Sequence, residues 1–148
     1  MSVSWGVLPV VPEIHGWLSE NGFPVDIPQS RYPTLEELLT VLRSFDLTVQ
    51  IEELPESTLG ISVGEPRSSA YVYILGNIKE DGFAFHFYEN TAGEKFMLDI
   101  LKRLCEKYCK ALVIYESSTA TPWLIVPETD ADQAVIEWKR RIRENSIH

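Results

Sequence analysis

Cysteine is scarce in this 148-residue chain, limited to Cys105 and Cys109, four positions apart. Such a pair is no disulfide framework, and it predicts a protein of a reducing compartment, taken here as cytoplasmic. Long apolar runs are missing too. No segment approaches the roughly 20 residues needed to span a bilayer. The start of the chain, Met1-Ser2-Val3-Ser4-Trp5-Gly6, lacks the basic stretch of a secretory signal. Histidine is confined to His15, His86 and His148, none at a spacing that holds zinc. Walker and GxGxxG patterns are absent, and Gly60-Ile61-Ser62-Val63-Gly64 reads as a strand without the helix that a nucleophile elbow requires. No metal, cofactor or catalytic set is expected. Positive charge is the last deficit: residues 1–66 hold only Arg31 and Arg43 against ten carboxylates, a local net charge of −8 out of −9 for the chain.

What remains is ordinary globular material, 45% apolar and 24% charged, with four Trp, six Tyr and six Phe. One domain spanning 1–148 is expected, large enough to bury a core. An acidic field of this kind attracts cationic partners and repels nucleic acid and anionic membranes. Basic residues do crowd two segments, Lys139-Arg140-Arg141 with Arg143, and Lys102, Arg103, Lys107 and Lys110. Acidic residues are interleaved with them and the pI is about 4.8, so they read as solvated helix faces.

Periodicity divides the chain. Pro12 opens a short helix over 13–20, closed by Asn21-Gly22. Residues 23–33, with three prolines, read as an ordered loop. Thr34-Leu35-Glu36-Glu37 has the form of a capping box, and Leu35, Leu38, Leu39 and Leu42 keep helical spacing to about residue 45. The period then falls to two: Leu47, Val49 and Ile51 alternate with polar residues, predicting a strand with that apolar face buried. Further strands are expected over 59–63, 70–78 and 83–89, then a helix over 94–110 with Phe96, Ile100, Leu101, Leu104 and Cys105 on its apolar stripe. Cys105 and Cys109 accordingly read as small buried side chains. Strands over 111–115 and 123–126 and a helix over 131–144 complete the order ααββββαββα. The fold class is α+β, a mainly antiparallel sheet of five to six strands with helices packed on it.

Asp81-Gly82 is a strong hairpin signal. A two-residue turn there makes paired residue numbers sum to 163, so Phe85 opposes Ile78. Val72, Ile74, Ile78, Phe83, Phe85 and Phe87 then share a core face, while Tyr71, Tyr73, Leu75, Asn77, Ala84, His86 and Tyr88 share the other. Tyrosine, with its large contact area and polar tip, suits an interface. Cover by a helix is the structural alternative. Asp46, Glu52, Glu53 and Glu56 flank the preceding strand, with no His, Lys or Arg nearby to complete an acid–base set. They read as a solvated loop or as a docking surface for a basic protein.

The run Gly82-Phe83-Ala84-Phe85-His86-Phe87-Tyr88, the helix over 96–108, then Ala111-Leu112-Val113-Ile114-Tyr115 and Trp123-Leu124-Ile125-Val126, forms a layout that covers half the chain. It resembles small acidic α+β immunity proteins that accompany bacterial polymorphic toxins. The likeness is topological and carries over no site residues. It implies a non-enzymatic inhibitor that binds a toxin domain. By their own chemistry, Asp46, Glu52, Glu53 and Glu56 are expected to steer a basic partner and Tyr71, Tyr73, His86 and Tyr88 to lie at the contact. Two alternatives remain: a small enzyme or ligand-binding domain with a pocket between sheet and helices near His86, and a structural subunit of a larger assembly or a self-associating homodimer that uses the tyrosine face.

Overall fold

A computed structural model describes residues 3–24, 26–65, 68, 70–78, 83–87 and 93–146, apart from the side chains of Val3, His86 and Phe87. Seven strands form one antiparallel sheet: β1 (Val3–Pro9), β2 (Val49–Leu54), β3 (Thr58–Val63), β4 (Val72–Gly76), β5 (Ala84–Phe87), β6 (Leu112–Glu116) and β7 (Thr121–Ile125). Their spatial order is β2-β3-β4-β5-β1-β6-β7. The helices are α1 (His15–Glu20), α2 (Leu35–Arg43), α3 (Glu94–Leu104) and α4 (Ala131–Ser146). The α+β class and the antiparallel sheet hold. The strand count of five to six does not, because β1 was not anticipated. It inserts between β5 and β6, so the chain begins in the middle of its sheet.

Pairing sorts the side chains onto two faces. Val49, Ile61, Ile74, Phe85, Trp5, Val7, Ile114 and Ile125 lie on one, by the registers of the adjacent strands. Against that face pack α2, α3 and α4, through Leu38, Val41, Leu42, Met97, Ile100, Leu101, Leu104, Ala134 and Trp138, all buried. Each fully buried Leu or Ile contributes roughly 1.5–3 kcal/mol, so this layer supplies most of the hydrophobic stabilisation. Among the described residues, the opposite face is covered only toward β6 and β7. There Leu18 of α1, with Trp17, Phe23 and Ile27, closes a second cluster over Val10, Ala111, Val113 and Leu124.

Three of the expected helix-end signals hold. Thr34 Oγ1 accepts from the Glu37 N–H (3.1 Å), and the Glu37 carboxylate accepts from the Thr34 N–H (2.9 Å), the two halves of a capping box. Asp130 caps α4 by accepting from the Asp132 and Gln133 amides. Beyond α1, Gly22 has φ 84° and Phe23 N–H reaches the Leu18 carbonyl (3.0 Å), a glycine-terminated helix end. The helix expected over 94–110 changes its winding: residues Cys105–Cys109 form a π turn that Lys110 leaves at φ 71°.

Two strand expectations need correction. In β4 and β5, Ile74 faces Phe85 and Leu75 faces Ala84, a sum of 159 where 163 was expected. The shift of four is even and leaves Val72, Ile74 and Phe85 on the core face and Tyr73 on the other, as expected. Asp81-Gly82 itself lies outside the described residues. The second correction concerns β2, where Ile51 is 46% exposed although its register partner Ile61 is fully buried. β2 is the end strand of the sheet, so Ile51 has a strand neighbour on one side only.

Candidate functional site: the acidic edge and uncovered face of the sheet

The part of the second face over β2, β3 and β4 is polar and lies away from the α1 cluster. Gln50 and Glu52 of β2 stand opposite Ser62 and Gly60 of β3, which stand opposite Tyr73 and Leu75 of β4. A Cβ at Gly60 would collide with the Tyr73 hydroxyl and the ring carbon that bears it, so the end of the tyrosine lies over the glycine. Gly6 and Tyr115 repeat the arrangement further along the sheet, where Trp17 meets Tyr115 edge-on at 5.7 Å. Around Tyr73 the surface sinks into an open depression of about 440 Å³ lined by Gln50, Ile51, Glu52, Gly60, Ser62 and Tyr73.

Four carboxylates mark the neighbouring edge. Glu52 points to the uncovered face and Glu53 to the helix side, since it opposes Leu59. Glu56 sits at the tip of the hairpin between β2 and β3. Asp46, at φ 59°, ends the turn after α2. All four are exposed, and none makes an ion pair with a described residue. The structure groups Glu52, Glu53 and Glu56 at one end of β2. Asp46 stands at the other end, about 20 Å away at 3.3 Å per residue.

Several cations elsewhere are engaged. Arg31 binds Glu37 through both terminal nitrogens (2.7 and 2.9 Å), fastening the 23–33 loop to α2. Arg140 binds Glu137 and Glu144, Lys95 binds Asp99, and Lys139 approaches Glu94. Arg103 stacks on Phe45 and Arg141 sits over Phe23 and Trp123. The basic side chains of α3 and α4 are thus partly consumed by the fold, and the β2 edge keeps its negative charge.

The aromatic residues divide. Tyr73 is on the uncovered face, half-buried over Gly60. Tyr71 precedes β4 and packs against the main core. His86 belongs to β5, where its backbone pairs with Ser4, but its side chain lies outside the described residues, as does all of Tyr88.

Chemistry that sequence reasoning missed lies at the other end of the sheet. Glu116, at the end of β6, is 5% exposed. Its Oε1 accepts from the Ser118 amide (3.0 Å) and hydroxyl (2.5 Å), and its Oε2 accepts from the Thr119 amide (2.9 Å) and hydroxyl (2.6 Å). Burial pushes its pKa up, but these four donors outweigh it and hold the carboxyl below its usual range. The signal was present in the sequence: Glu followed by Ser-Ser-Thr at a strand end is a side-chain-capped turn. With every acceptor position engaged from its own turn, Glu116 is structural. Both cysteines are buried, and desolvation raises their thiols, Cys109 to about 11, which leaves them unreactive. His15 is half-buried on α1, with Nε2 unpartnered among the described residues. No group of three or more His, Cys, Asp or Glu side chains among the described residues could hold a metal ion, and none of their helices is long and apolar enough to cross a membrane.

No protein-family model, curated protein or solved structure matches this chain.

Proposed function

We propose that the chain is a non-enzymatic protein-binding module of the immunity type, which docks a basic partner such as a toxin domain on the acidic edge and uncovered face of its sheet. The observation that supports it is the cluster Glu52, Glu53 and Glu56, exposed and without ion pairs among the described residues at the uncovered end of the sheet. Unneutralised charge on an exposed rim steers encounter and raises association rates, and an adjacent polar-aromatic surface such as Tyr73 with Ser62 and Gln50 supplies contact area. A cavity enclosing a converged acid–base set would have favoured catalysis. The depression here is open, and Glu52 is its only ionisable carboxylate.

The test is co-expression with the products of neighbouring open reading frames, followed by association kinetics on the complex. Glu52→Lys, Glu53→Lys and Glu56→Lys together are expected to lower the association rate at least ~10-fold at low salt and to flatten its salt dependence. Asp46→Lys is expected to do less. Charged residues on end strands also deter edge-to-edge aggregation. If that is their whole role, the triple variant will self-associate while partner association is unchanged, and the docking proposal fails.

A further inference from the structure

The backbone of β2 carries information that its side chains do not. The β2–β3 register is unbroken from Val49↔Val63 to Leu54↔Thr58. Just beyond it, the Gly64 N–H donates to the Thr48 carbonyl (2.9 Å). In an antiparallel ladder, hydrogen-bonded and non-hydrogen-bonded pairs alternate. Thr48, Gln50, Glu52 and Leu54 therefore direct their amides and carbonyls inward to β3. Val49, Ile51 and Glu53 direct theirs outward, where no described strand follows β2. Three N–H and three C=O groups thus line a free edge, with exposed Ile51 at its centre. Prolines, bulges and a covering helix are the usual ways to blunt such an edge, and within β2 none is used. Only charge guards it, and charge of a single sign selects rather than excludes.

We infer that β2 is a strand-addition site, and that the partner supplies an extended segment alternating basic and apolar residues. This rests on the docking proposal above and specifies how the partner binds. In antiparallel addition, the residue opposite Ile51 exchanges both backbone hydrogen bonds with it and turns its side chain to the same face, so an apolar side chain fits there. Its neighbours turn to the face of Gln50 and Glu52, where a Lys or Arg meets the Glu52 carboxylate at the rim of the depression beside Tyr73. Main-chain bonds supply affinity and the alternation supplies specificity, as in other strand-addition complexes. A second copy of β2 fits less well, because self-pairing brings two acidic edges of chains with net charge −9 together.

The probe is the peptide acetyl-Lys-Val-Lys-Val-Lys-Val-Lys-amide, titrated into the full-length protein and followed by amide NMR. The expected result is saturable shifts over residues 49–53, with new exchange protection at the Val49, Ile51 and Glu53 amides only. N-methylation of the valines, whose amides face β2, is expected to weaken binding at least tenfold. N-methylation of the inner lysines, whose amides face away, is expected to change it less than threefold. Ile51→Pro removes an outward N–H only; it should fold with a normal melting transition and lose the peptide to the same extent. Equal binding of both methylated peptides would overturn strand addition while leaving acidic docking intact, provided the Glu52/Glu53/Glu56 reversal still abolished it. Loss of all charge dependence would overturn the docking proposal itself. No shift at millimolar peptide, or a dimer that Ile51→Pro converts to monomer, would also overturn strand addition by a partner.

Discussion

Glu56 and Ser57 show how a single residue serves two demands. Both have positive φ, 63° and 62°, at the centre of the turn closed by Thr58 N–H to the Pro55 carbonyl. Positive φ at both central residues is the pattern of a type I′ turn, which favours Asn-Gly, and each non-glycine L-residue held there costs roughly 1–2 kcal/mol. Ser57→Gly is therefore expected to stabilise the protein by about 0.5–1 kcal/mol in urea unfolding, leaving partner association unchanged. Glu56→Asn should also stabilise, but slow association, since it removes a docking charge. The glycines under tyrosine rings act in the opposite direction. Gly6→Ala places a methyl group against the Tyr115 ring, and Gly60→Ala places one against the Tyr73 hydroxyl. Tyr115 is wedged by Trp17, so Gly6→Ala is expected to cost about 2–3 kcal/mol and Gly60→Ala about 1. Equal costs measured by denaturation would show that both rings move aside alike.

Among the elements, the helices were legible because their pattern is local. Leu38, Val41 and Leu42 of α2, and Phe96, Ile100, Leu101 and Leu104 of α3, are buried at helical spacing. The side-chain caps of α2 and α4 lie within two or three residues of the amides they accept from. The strands were less legible, since what faces a strand comes from elsewhere in the chain. β1 shows the difficulty: Gly6 and Pro9 obscure its alternation of Trp5 and Val7, and Gly6 is explained by Tyr115, which arrives on β6. The exposure of Glu52, Glu53 and Glu56 could be read from composition, but not that β2 ends the sheet, because that depends on where β1 inserts. The β6–β7 hairpin gives the clearest test of element energetics. Glu116→Gln replaces one acceptor oxygen with a donor amide facing donors, at an expected cost of about 2–3 kcal/mol. The Glu116 carboxyl, and the Glu37 carboxyl held to about 2 chiefly by Arg31, both have depressed folded-state pKa values. Both contributions are complete above the unfolded value near 4.5 and are lost as pH falls below it, that of Glu37 toward about 2. Denaturant midpoints should fall over that window in the wild type, less steeply in Glu116→Gln, and less again when Arg31→Ala is added.

Across the whole molecule, β1 is the element on which both halves depend. On one side lies the β2–β5 meander, carrying the acidic edge; on the other lies the β6–β7 hairpin, and β1 joins them through two sets of pairings. Trp5 stands between Phe85 and Glu116, Val7 is buried beside Ile114, and the Ser117 amide and hydroxyl both donate to the Ser4 carbonyl. Nearly all of these contacts span more than 75 residues of chain, so they form late and their loop-closure cost falls on the whole fold. Deleting residues 3–9 removes the buried Trp5 and Val7 side chains, worth roughly 1.5–3 kcal/mol each, together with both ladders. It also leaves β5 and β6 as unpaired edges in the middle of the former sheet. Against a total stability on the order of 5–15 kcal/mol, that loss is expected to abolish folding rather than loosen one half. The deleted chain should sediment as aggregate and show no cooperative thermal transition. In the intact protein, the β1 amides should exchange only through global unfolding, more slowly than those of β2. A deleted chain that stayed monomeric and still bound the basic peptide would show that the acidic meander folds alone, and that β1 merely attaches the hairpin to it.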